Sequence, residues 1–137
     1  MKSLFFVAII FFSMQSFSGD ENVVVIAGAD FSTNSISYQD LKRLYLGRAT
    51  SVGSTEIEPV DLPANSKARE EFYRKVMRRT PEQMKRYWVR AVFTGAAKPP
   101  REVKDEAEMI EVVSSERALG YLAKKLLDDS IKELEIK

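Results

Sequence analysis

The sequence predicts a single compact α/β domain, layered, with a small mixed sheet flanked by helices. Three observations carry that expectation. Short apolar or β-branched runs alternate with segments of helical periodicity, the helical segments open and close on recognisable capping residues, and no repeat, low-complexity tract or long linker divides the chain. Residues in helices are expected to outnumber those in strands.

The elements follow in chain order. Met1-Lys2, the apolar run Leu4 to Phe12 and the small polar stretch Ser13 to Gly19, with Ser16 and Ser18 at the small-residue positions, have the three-part layout of a secretory leader. The run is too short to cross a hydrocarbon core, which takes about 20 residues. Residues 1–18 are therefore expected to be a cleaved signal peptide, residues 19–137 the domain, and the compartment the periplasm. Val23 to Ile26 is β-branched and ends near Gly28, as a buried strand would. Ser37 has the setting of an N-cap, with Asp40 three residues on, an apolar stripe of Tyr38, Leu41, Leu44 and Tyr45, and Gly47 as the stop. Residues 48–55 read as a turn-rich connector. Ile57 to Leu62 reads as a strand, with Pro59 at an edge or strand end.

Asn65-Ser66 opens a second helix with Ala68, Phe72 and Val76 on one face. Thr80-Pro81-Glu82-Gln83 is the strongest local signal, an N-cap, a first-turn proline and a capping-box glutamine together. Met84, Trp88, Ala91 and Val92 then recur at helical spacing, which places Trp88 in the core, and Gly95 with Pro99-Pro100 ends the helix. Asp105 and Glu108 start a further short helix bearing Ala107, Ile110 and Val113. Ala118 to Leu122 and Ile131 to Ile136 read as closing strands.

Composition narrows the chemistry. The chain has no histidine and no cysteine, so imidazole acid–base catalysis, thiol nucleophiles, Cys/His zinc sites, disulfides and a lipidated cysteine are all excluded. Glycine-rich nucleotide loops and nucleophile motifs are absent from the sequence. Glu56 with Glu58 and Asp128 with Asp129 form carboxylate pairs, without an acid–base companion or calcium-loop spacing. The expectation is a protein that binds rather than catalyses, with no cofactor and no metal.

Five elements in order then carry a resemblance. Leu44-Tyr45-Leu46-Gly47-Arg48, Pro59-Val60, Ser66-x-x-Arg69-x-x-Phe72, Phe93-Thr94-Gly95 with Pro99, and Ala118-Leu119-Gly120-Tyr121 resemble the phosphate ABC transporter substrate-binding protein family. That family has an "IFLGK" helix end, an "SGTR..F" segment, a "TG…P" element and a "GAIGY" strand. The resemblance spans about residues 36 to 122 and implies one lobe of the two-lobed type II periplasmic binding fold. In the family, the "SGT" segment holds phosphate with backbone amides and hydroxyls at a helix N-terminus, where unpaired N–H groups and the helix dipole favour an anion. Ser66 and Arg69 match that segment and are the candidate anion-binding residues. Lys67 stands where the family has glycine, Ala68 where it has a hydroxyl residue, and Arg117 where it usually has glycine. The family's serine- and glycine-rich loop from the opposite lobe has no counterpart. The alternative in which Ser66 only caps its helix stays open.

Charge is unevenly placed. Lys2 lies in the leader, so the remainder carries as many acidic as basic side chains, and the overall charge gives no case for nucleic acid or a membrane surface as a partner. Between Lys67 and Arg90, however, nine basic residues face only Glu70, Glu71 and Glu82. They form either a solvated outer face or a docking surface. Two functions are therefore expected. The first is an exported solute-binding-like protein taking phosphate or another small oxyanion weakly, serving a transporter permease. The second is a ligand-free adaptor docking an envelope protein through its basic helices. Neither involves membrane insertion.

Overall fold

Strand β1 (Val23–Gly28) is the fourth of five strands across a mixed sheet whose remaining members all come later in the chain. It runs antiparallel to β7 (Ala118–Ala123), with Val25 opposite Tyr121 and Ile26 opposite Gly120, and antiparallel to β8 (Ile131–Glu133) on its other side. Strand β5 (Glu58–Asp61) pairs parallel with β7, and β6 (Arg101–Glu102) pairs parallel with β5 at the edge. The structure is a computed structural model and describes residues 22–137, so the expected leader lies outside the described residues.

Every residue of β7 is buried, because helices cover both faces of the sheet. Side chains alternate along the strand. Tyr121 points toward α1 (Tyr38–Tyr45) and α2 (Lys67–Phe72), where it stacks on Phe72 at 3.9 Å and lies 6.1 Å from Tyr45. Gly120 points the other way, under α4 (Glu106–Ser115), and a Cβ added there would come within 2.4 Å of the Met109 sulfur. The missing side chain lets α4 sit close to the sheet. Tyr45 donates from its hydroxyl to the carbonyls of Val60 and Leu119 at 2.8 and 3.3 Å, tying α1 across β5 and β7.

The caps form as the residues dictate. Ser37 accepts from the Asp40 amide at 3.0 Å. Thr80 and Gln83 make both bonds of the capping box at the start of α3 (Pro81–Phe93), at 3.2 and 2.9 Å. Asp105 caps α4. Gly47 closes α1 in the left-handed region at φ 68°, pressed against Ala97 and Trp88. Pro59 sits at the start of β5, beyond the reach of the two-residue β6, where its missing N–H breaks no ladder.

Three expectations are corrected. The connector at 48–55 contains a hairpin, β3 (Ser51–Val52) with β4 (Thr55–Glu56), turning at Gly53. The final strand is two, because the chain leaves β8 to pair β9 (Glu135–Ile136) in parallel with β2 (Ser35–Ile36). Trp88 is half-buried rather than in the core, and Val92 is exposed. Helix α3 docks by a narrow edge, Met84 and Ala91, and Tyr87 pins it by donating to the Leu46 carbonyl at 2.7 Å. The apolar spacing is therefore wider than the surface that the fold offers.

Candidate anion-binding site

Helix α2 starts where the sequence places it. Ser66 is its N-cap, and the Ser66 hydroxyl accepts from the Arg69 amide at 3.3 Å. After six residues the helix widens into a π-helix (Tyr73–Met77), which ends at Arg78 in the left-handed conformation, φ 52° and ψ 42°. The consecutive aromatics Phe72 and Tyr73 are both buried at this junction.

The Arg69 side chain turns toward the sheet. Its Nη1 donates to the Leu62 carbonyl at 2.7 Å and to the Glu102 carboxylate at 3.1 Å, and its Nη2 lies 3.7 Å from Asp61. The guanidinium also sits over the Tyr73 ring at 5.4 Å. Asp61, at the end of β5, is only 2% exposed and is the one buried charged residue among the described residues. The hydroxyls of Tyr73 and Tyr121 each donate to one of its oxygens, and Tyr121 in turn accepts from the Leu62 amide at 3.2 Å.

Burial pushes the Asp61 carboxyl above the ordinary carboxylate range, and the pull of Arg69 and the two tyrosine hydroxyls in the other direction falls short. Burial and the neighbouring Asp61 push both tyrosine hydroxyls well above their usual value, so they remain donors. Burial works against the Arg69 charge, but Asp61 and the tyrosines outweigh it and raise its pKa. Arg69 stays a cation.

Ser66 and Arg69, the two residues expected to bind an anion, are thus brought together at the start of one helix, and each already has a partner. An incoming oxyanion would share Arg69 with Glu102, whose side chain is 54% exposed. A groove of about 510 Å³ reaches Arg69 and Tyr73, bounded by Ala64, Glu70, Met84 and Trp88. Arg117 lies elsewhere, between two other depressions beside Glu58 and Glu116. Sequence reasoning missed Asp61 and its tyrosines. The available signal was an acid closing an apolar strand, Ile57 to Leu62, where alternation alone does not tell a solvated carboxylate from one met by donors on three other elements.

A second arrangement lies on the far side of α3. Arg78, Arg79, Gln83, Arg86, Tyr87 and Arg90 line a depression of about 510 Å³. Arg79 lies 5.5 Å and Arg48 5.9 Å from the Tyr87 ring centre, and Arg78 lies 5.5 Å from that of Tyr38. Among the described residues, the ion pairs of this stretch use Arg69, Arg74 and Lys75, and none involves Arg78, Arg79, Arg86 or Arg90. No helix of the described residues is long and apolar enough to cross a membrane.

The fold has solved relatives. An ABC-type phosphate transport receptor from Vibrio cholerae superposes with a TM-score of 0.64 at 18% identity, covering 84% of this chain and 46% of the receptor. A phosphate ABC transporter substrate-binding protein from Clostridium perfringens, solved with bound phosphate, gives 0.65 at 16% identity, over 84% and 44%. PstS from Borrelia burgdorferi gives 0.59 at 16% identity, over 85% and 47%. The chain therefore has the α/β fold of one lobe of these binding proteins and spans less than half the length of each. No protein-family model and no curated protein matches the sequence.

Proposed function

We propose that this chain is a periplasmic solute-binding-type lobe that takes a small oxyanion of the phosphate class at Ser66 and Arg69, weakly, and catalyses nothing. The observation that supports the reading is the shared fold with phosphate-binding proteins, together with Ser66 and Arg69 at the start of one helix and Arg69 lining a groove. A role beside a transporter permease belongs to the same reading.

Geometry bounds the affinity. A lone lobe leaves the anion half in water, where each charge interaction is screened. Lys67 and Ala68 remove one close backbone approach and one hydroxyl donor, each missing donor to a charged ligand weakening binding by about tenfold or more. Glu102 competes for Arg69. A dissociation constant of order ~0.1 mM or weaker follows, with loss of binding in added salt.

Calorimetric titration with inorganic phosphate at low ionic strength tests this, and Glu102→Gln makes it specific. Removing the competing carboxylate from an exposed position leaves the fold intact and should tighten binding severalfold. Phosphate affinity indifferent to Glu102→Gln, yet lost in Arg86→Gln, would move the site away from Ser66 and Arg69. No phosphate binding at all would leave the adaptor as the better reading, a role that the unpaired arginines of α3 favour.

A further inference from the structure

Helix α3 presents an outward face that its own domain does not use. Arg86, Val89, Arg90 and Phe93 follow at three- and four-residue spacing and so share one side of the helix. Val89 is 64%, Val92 54% and Phe93 91% exposed, the three most exposed of the large hydrophobic side chains among the described residues. Beside this strip lies the depression lined by Arg78, Arg79, Arg86 and Arg90. Glu82 is the only acid on the helix, and among the described residues it is not in an ion pair with Arg86.

We propose that this face docks on an anionic lipid surface, with headgroup phosphates taken by the arginine depression and Phe93, Val89 and Val92 entering the interface. Three independent features point there. The arginines are gathered without a neutralising carboxylate, which costs repulsion unless an external anion supplies the charge. They are also held in place: Arg79 lies over Tyr87, whose hydroxyl is anchored to Leu46, and Arg78 lies over Tyr38. Arg78 sits in a left-handed conformation that suits glycine or asparagine better than arginine. Strain of this kind persists where the side chain has a use.

The apolar strip decides the source of the anion. A free polyanion needs cations alone, and a bulky ring 91% exposed would then serve no purpose. A lipid interface needs both, since peripheral helices combine basic residues facing the headgroups with Phe-type side chains that reach the acyl boundary. Guanidinium groups also pair bidentately with phosphate. The overall balance of acidic and basic side chains conceals this patch, because the acidic excess lies in residues 101–137. The site is separate from Ser66 and Arg69, and neither proposal depends on the other.

Cosedimentation tests it, with protein purified after export and vesicles of phosphatidylcholine alone or with phosphatidylglycerol at roughly one lipid in three. Binding to the anionic vesicles only, with loss in added salt, is expected. Arg86→Gln with Arg90→Gln should weaken it by about tenfold or more, since each basic residue near an anionic surface contributes about fivefold. Phe93→Ser should weaken it by at least about threefold, through lost apolar burial. All three positions are exposed, so circular dichroism should be unchanged. Equal binding to neutral vesicles, or affinity unmoved by both sets of variants, would overturn the proposal. A parallel titration with tripolyphosphate separates the sources: tight binding there with none to vesicles would overturn the lipid assignment in favour of a free polyanion. Binding to neither would overturn it as well, leaving an acidic protein surface as the partner of these arginines.

Discussion

Removing the Asp61 carboxylate should destabilise the domain by about 2–4 kcal/mol. Asp61→Ala deletes the acceptor of two hydroxyls, those of Tyr73 and Tyr121, both of them buried. Each buried donor left without an acceptor costs about 1–3 kcal/mol. Arg69 loses less, because it keeps the Leu62 carbonyl and Glu102. Part of the loss is offset, since the carboxylate itself was expensive to bury, as its raised pKa shows. The net is a large share of a total that lies at about 5–15 kcal/mol for small domains. Urea denaturation followed by circular dichroism measures it. Asp61→Asn keeps one carbonyl acceptor and should cost about half as much. The sign with pH follows from the raised folded pKa. The stabilisation that Asp61 contributes is full below the unfolded value of about 3.8 and is lost as pH rises through the folded value. The advantage of the wild type over Asp61→Asn should therefore shrink from pH 4 to pH 8. A loss under about 1 kcal/mol in Asp61→Ala would refute the idea that the tyrosines depend on Asp61.

Phe72→Ala, which empties a fully buried ring stacked on Tyr121, should cost about 3–5 kcal/mol, whereas half-buried Trp88→Ala should cost clearly less by the same denaturation assay. Gly47→Ala should lose more than about 1 kcal/mol, because the backbone is at φ 68° and the new methyl group would meet Ala97 at 2.8 Å. A lowered melting temperature checks it. Exported protein should begin at Gly19, which intact-mass analysis reads directly; retention of Met1 would contradict the leader expected over residues 1–18.

Local chemistry was legible in the order of residues. Ser37, Ser66, Thr80 and Asp105 cap the helices that they precede, and Gly47 stops the first, because capping depends on side chains within three or four positions of the backbone groups they satisfy. The layered α/β class followed from the alternation of those elements, and the resemblance to one lobe of the phosphate-binding proteins was carried by motifs that are themselves helix ends and strands.

Tertiary structure alone decided what those elements do to one another. Asp61, Arg69, Tyr73, Glu102 and Tyr121 come from five separate elements, and only the pairing of β5 between β6 and β7 brings the carboxylate under two hydroxyls and beside a guanidinium. Arg69 reads as a free cation in sequence because its partners lie up to 33 residues away, and no local pattern encodes that distance. The outward turn of α3 is settled likewise. Met84, Trp88, Ala91 and Val92 repeat as a core stripe would, but periodicity gives the direction of an apolar face without the width of the surface that meets it. The fold fully buries only Met84 and Ala91 on this helix and half-buries Tyr87 and Trp88, leaving Val89, Val92 and Phe93 beside unpaired arginines. Backbone capping is decided within a turn of helix, whereas burial and charge pairing depend on which distant elements close over a side chain.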